Sequence, residues 1–300
     1  MNSLNPAPGD RHTERTEASA AAPVWPASLE LHIGAGKHGT RLLGNRHRGP
    51  LYVQKPFYPE GNRLPHVYIL HPPGGMVSGD QLSIELNIDA HCRALFTTPG
   101  AGRLYRARAD RQLQRQQVTI HIGESACAEW LPGENIVYPG ACARATTQVR
   151  LAANSCFMGW EIHCIGLPAS GRRFDAGRLM QRFEIFRDRQ PLLIDALNID
   201  MDAGDILAAT AGLAGRTVSA LFVSGPFDAA ADSEALVESL RAACAAEPVL
   251  LGVTRVADCI AIRYLGDCAW QVKKLFMRCW ALLRPALIGR DACPPRIWAT

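Results

Sequence analysis

The chain has 300 residues, 48% hydrophobic and 20% charged, with a net charge of +4. That is enough chain for a substantial core, and too little overall charge to point to nucleic acid or an acidic membrane as partner. Ten cysteines without one C-x-x-C pair exclude zinc-finger spacing, and there is no run of about 18 apolar residues to cross a bilayer.

Residues 1–28 are rich in Ala, Pro, Ser, Thr and charge, lack hydrophobic periodicity, and are expected to form a disordered tail. Asp10, Arg11, Glu14, Arg15 and Glu17 precede any apolar run, unlike a secretory leader, so a soluble cytoplasmic protein with reduced cysteines is expected. A single β domain is expected over 29–300, changing to a small α+β portion from about 217.

The first strong motif is "HPPGGMVSGD", His71 to Asp80. Its glycines suggest an anion cradle, but no P-loop Lys follows. The next residues, Leu82, Ile84, Leu86 and Ile88, alternate with polar ones as in a strand with one buried face. The motif therefore reads as a stiff turn that starts a strand and places Asp80. His71 is either a turn-stabilising hydrogen-bond partner or a metal contact.

Between Arg103 and Arg115 five arginines stand against a single Asp110. This run is either a solvated strand edge and loop or a surface for an anionic partner. A nucleic-acid role would need aromatic platforms beyond Tyr105.

Short strands are then expected at Val118–Ile122, Ala126–Leu131, Thr146–Leu151, Phe157–Ile165, Met180–Phe186 and Leu192–Leu197, divided by Pro and Gly breaks. Within Phe157–Ile165, Glu161 and His163 fall on one face and Trp160, Ile162 and Cys164 on the other. The pair is either a polar patch on a strand or a site for a borderline metal. Glu184 shares its face with Arg182, so an ordinary ion pair would satisfy both.

From Thr217 the pattern becomes strand, helix (Leu236, Val237, Leu240, Ala243 and Cys244 on one face), two strands near Val249–Val253 and Cys259–Leu265, and a last helix. Asp267 is the expected N-cap of that helix and Pro285 its end. The expected fold is mainly β, with many short strands in coiled, β-helix-like sheets and a C-terminal portion carrying two helices. The nucleophile elbow, the P-loop and H-E-x-x-H are all missing.

The segments "HPPGGMVSGDQL", "LFTTPGAGRLYRA", "AEWLPGENIVYPGA", "WEIHCIGLPASG", "RFEIFRDRQPLLID" and "LRPALIGRDACPPRIWAT" occur in this order from His71 to Thr300. Together they resemble the urease accessory protein family UreD, called UreH in some organisms. The resemblance implies a non-catalytic scaffold with a mostly β, coiled fold. It also implies binding to apo-urease and to the accessory protein UreF and, through UreF, to the GTPase UreG, in a complex that could be dimeric. No nucleic acid, membrane or tightly bound cofactor is implied. Ni²⁺ would be a transient cargo, conducted through an interior passage to urease.

Carried over by motif, the passage carboxylates would be Asp80, Glu161 and Glu184, with His163 a further metal contact. Ala107 stands where many relatives carry Ser, Arg103 where they carry Lys, and Glu161 where Asp is common. The rival expectation is a metal-dependent hydrolase using Asp80, Glu161 and His163.

Overall fold

A computed structural model describes residues 24–299 except Asp205 and residues 228–229; the side chains of residues 230–232 are also outside the description. The expected tail falls mostly outside the described residues. Strand structure, however, reaches back to Trp25, inside the span read as tail. Pro26 and Ala27 blur the alternation there, but the Trp25 N–H donates to the Gly79 carbonyl at 3.1 Å and the strand continues in register beside residues 80–88.

Strand accounts for 48% of the structure and helix for 14%. The strands open with β1 (Trp25–Gly36), β2 (Gly39–Arg48), β3 (Tyr52–Val53), β4 (His66–Leu70), β5 (Asp80–Ile88) and β6 (Arg93–Thr97). Next come β7 (Gly102–Leu104), β8 (Gln114–Ile122), β9 (Cys127–Trp130), β10 (Asn135–Val137), β11 (Cys142–Leu151) and β12 (Cys156–Ile165). After these stand β13 (Arg178–Arg187), β14 (Gln190–Asp200), β15 (Val218–Gly225), the helix α1 (Ala230–Cys244), β16 (Leu250–Val256), β17 (Cys259–Gly266) and the helix α2 (Ala269–Ile288).

The chain coils. Strands β1, β5, β8, β11 and β13 lie parallel in one sheet, edged by antiparallel β2 and β14. Strands β4, β6, β9 and β12 lie parallel in a second sheet, which β15, β17 and β16 extend in antiparallel fashion. Short β7 and β10 form a parallel ladder that ends on the last residues of β12. Each turn thus runs from the first sheet across to the second and back.

The corners stack as well. His91, Ser125 and Asn154, all with positive φ, occupy the same corner of successive turns, and the His91 N–H reaches the Glu124 carbonyl at 2.9 Å. At the next corner Pro99-Gly100 lies under Pro132-Gly133. A Cβ on Gly133 would stand 2.6 Å from the Gly100 carbonyl oxygen, so this stack needs glycine.

The two sheets face each other across a core of Leu29, Leu86, Phe96, Ile120, Val149, Phe183 and their neighbours. Both helices cover the outer face of the second sheet, where Trp160, Phe222, Leu240, Phe276 and Leu283 form a second core. Strand β12 is therefore buried on both faces, with Phe157, Glu161 and His163 towards the sheet interface and Met158, Trp160 and Ile162 towards the helices.

The two expectations for the last helix are corrected. Cys268 occupies the N-cap position, without a side-chain bond, while Asp267 accepts from Arg216 and Thr217 instead. Pro285 lies inside α2, which runs on to Ile288 and closes at Gly289, where the N–H donates to the Pro285 carbonyl. A proline one turn from the end removes a single intrahelical bond, so the helix can finish beyond it.

Candidate functional site

The HPPGG turn is held by the Gly74 N–H, which donates to the His71 carbonyl at 2.8 Å with Gly74 at φ +68°. Gly75 lies directly on the neighbouring strand: a Cβ there would meet Tyr105 Cε2 at 2.4 Å and the Arg103 carbonyl oxygen at 2.9 Å. The turn leads to Asp80, whose Oδ2 accepts from the Val77 N–H at 2.8 Å and so fixes the start of β5. The motif is a coil corner. Burial pushes the His71 imidazole below its ordinary pKa, against the opposing pull of nearby Asp80.

Below this corner, between the sheets, lies a cavity of about 410 Å³ whose walls include His71, Thr98, Gln116, Asn135 and Glu161. A second cavity of about 190 Å³ is lined by Glu161, His163, Gln181, Asp195, Ser219 and Arg263. Glu161 belongs to both.

Its carboxylate is held from the opposite sheet. The Thr147 hydroxyl on β11 donates to Oε1, and Gln181 Nε2 on β13 donates to Oε2 at 3.0 Å. His163 Nε2 lies 3.5 Å from the same Oε2, and neither ring nitrogen has a hydrogen-bond partner among the described residues. This buried arrangement offers one carboxylate and one imidazole to a cation or to water, with no arginine or lysine bonded to the carboxylate. At the rim of the smaller cavity Arg263 pairs with Asp195 at 2.7 Å.

The residues named from sequence separate accordingly. Glu161 and His163 come together as their strand parity requires. Asp80 is near His71 at the corner but lines neither cavity. Glu184 points away from the sheet interface, on the outer face of the first sheet. There it accepts from Arg182 Nε at 2.6 Å and from Gln148 Nε2 at 3.0 Å. Thr147 and Gln181 were not singled out from sequence; each is a polar residue in the apolar phase of its strand, and that is the signal that marks them.

The UreD urease accessory protein model matches residues 26–299. The chain belongs to the UreD family. The UreD of Marinomonas sp. (strain MWYL1) is 46% identical, covering 93% of this chain and 91% of the relative. The UreD of Dechloromonas aromatica (strain RCB) is 40% identical over 93% and 96%, and a UreD 2 of Brucella anthropi is 40% identical over 92% and 98%. A role in urease maturation follows from this UreD membership. No helix among the described residues is long and apolar enough to cross a membrane.

Proposed function

We propose that the chain is a non-catalytic scaffold that binds apo-urease and UreF and, through UreF, the GTPase UreG, and that conducts Ni²⁺ past Glu161 towards the urease active site. The observation that carries this reading is that Glu161 lines both interior cavities. A carboxylate oxygen holds Ni²⁺ less tenaciously than thiolates or paired imidazoles, so an ion can arrive and leave. Polar, water-accessible surroundings make its buried charge tolerable. Asp80, beside His71 at the corner, serves the approach. Glu184 is committed to Arg182 on the far face and is assigned no contact with the ion. The assembly works in the cytoplasm, in keeping with cysteines that are all free.

The hydrolase reading needs Asp80, Glu161 and His163 around one ion. The separation of Asp80 from the other two favours the conduit.

Deleting the protein from cells that make urease and measuring enzyme-bound nickel tests the reading. Loss of nickel loading is expected, and normal loading would overturn it. Replacing Asp80, Glu161 and Glu184 by Ala, singly and together, then separates assembly from conduction. Glu161→Ala should form the complex yet activate poorly, whereas Glu184→Ala should activate normally. Full activation by Glu161→Ala would end the conduit assignment and leave the scaffold standing.

A further inference from the structure

A groove of about 860 Å³ opens on the surface, and its walls come from four separate connections, one of them the β10–β11 link that supplies Pro139 and Gly140. Arg106 comes from the β7–β8 link, Arg172 and Arg173 from the hairpin between β12 and β13, and Met201 and Leu207 from the segment after β14. All three arginines are exposed, and none forms an ion pair among the described residues. Their neighbours differ: Arg111 is taken by Asp202 and Arg178 by Asp200, both at 2.8 Å. Asp175 is the one carboxylate lining the groove among the described residues.

The rim is rigid. The Ala107 N–H donates to the Gly140 carbonyl at 2.9 Å, and the Arg106 stem lies over Gly140, where a Cβ would come within 3.0 Å of its Cγ. The hairpin is closed by reciprocal bonds between Leu167 and Arg172 at 2.8 and 3.1 Å and anchored by buried Phe174. Half-buried Met201 and Leu207 give the groove apolar surface beneath its cationic edge.

We infer that this groove docks an acidic segment of a partner protein, one that presents carboxylates to Arg106, Arg172 and Arg173 and an apolar side chain to Met201 and Leu207. The groove is far wider than a single phosphate, and solvent-exposed arginines hold a small anion weakly at physiological salt. It has no exposed aromatic platform on which a base would stack. Exposed arginines on a hydrogen-bonded backbone, set over apolar surface, suit interface recognition of an acidic chain.

The inference rests on the maturation reading only in its choice of probes: apo-urease and UreF, each immobilised and tested against the full chain. The charge reversal Arg106→Glu/Arg172→Glu/Arg173→Glu should slow association with at least one of them about tenfold at low salt and flatten its salt dependence. The triple Arg→Lys chain should retain most of the binding, and Arg172→Glu alone, on an exposed hairpin, should show a smaller loss without change in Tm. Unchanged rates in the triple Glu chain overturn the groove alone. A wild-type chain that binds neither protein overturns the maturation reading and the groove with it. Single-stranded RNA that binds the wild-type chain and not the triple variant, with protein binding unaltered, assigns the groove to nucleic acid and also overturns the proposal.

Discussion

Two buried glutamates on neighbouring strands of one sheet have opposite circumstances. Glu129 on β9 faces the helices and is 1% exposed; Glu161 on β12 faces the sheet interface and is 9% exposed. Glu129 accepts from Trp280 Nε1 at 2.7 Å and from Arg284 Nε at 3.1 Å. Arg284, fully buried, also reaches both oxygens of Glu60 at 2.6 and 2.8 Å, and His66 stands 2.8 Å from the same group. Glu161 has only the neutral Thr147 and Gln181 as donors, with His163 close by. A buried carboxylate answered by a guanidinium is a structural fixture, whereas one answered by neutral amide and hydroxyl groups still has charge to offer.

The largest effect expected from this contrast follows removal of the guanidinium. Arg284→Ala leaves buried Glu129 without a counter-charge and Glu60 with only His66 and, at 3.8 Å, Arg290, and should cost about 3–5 kcal/mol, read by urea denaturation of the full chain. The loss should also undock the C-terminal segment, because Arg284 donates to the Asp291 carbonyl. A stability change as small as that of a surface substitution would show that the cluster contributes little.

Acid should open the same cluster next. Burial alone would raise the Glu60 carboxyl, but hydrogen bonds from His66 and Arg284 outweigh it and hold the group at about 2, below its usual 4.5. A depressed folded value means that the stabilisation is complete above about pH 4.5 and disappears as pH falls from there towards about 2. Denaturation of the wild-type chain and Glu60→Gln at several pH values across this window should show the steeper decline in the wild type. Parallel curves would remove Glu60 from the account of acid sensitivity.

The sequence discloses these two regions unequally, for physical reasons. Strand alternation is local, so the shared face of Glu161 and His163 was legible, as was the Arg182–Glu184 pair. Even the outward position of Glu184 could have been read, since Leu179, Phe183 and Ile185 hold the apolar phase of β13 and Glu184 lies out of it. Strand β12 is harder, because both of its faces are apolar enough to be buried. The parallel stacking of corners depends on short ladders such as β7 and β10, three residues each, which show no periodicity. The Glu60–Arg284–Glu129 cluster joins a loop, a strand and the last helix, and no local pattern announces a contact across that separation.

Glu161→Gln should have the smallest effect on stability of these changes and, on the conduit reading, a clear effect on urease. Thr147 can still donate to the amide oxygen, Gln181 can turn its own amide so that its oxygen accepts from the new NH2, and the side chain keeps its size, so denaturation should shift by about 1 kcal/mol. The lost charge is what Ni²⁺ would have used, so enzyme-bound nickel should fall while the complex with apo-urease still forms. Thr147→Val, which removes a donor but keeps the carboxylate, should destabilise by about 1 kcal/mol and leave nickel loading nearer the wild-type level. If the two substitutions reduce loading equally, packing between the sheets rather than the charge at Glu161 governs passage. If Glu161→Gln proves as destabilising as Arg284→Ala, the two glutamates are both fixtures and the distinction between them fails.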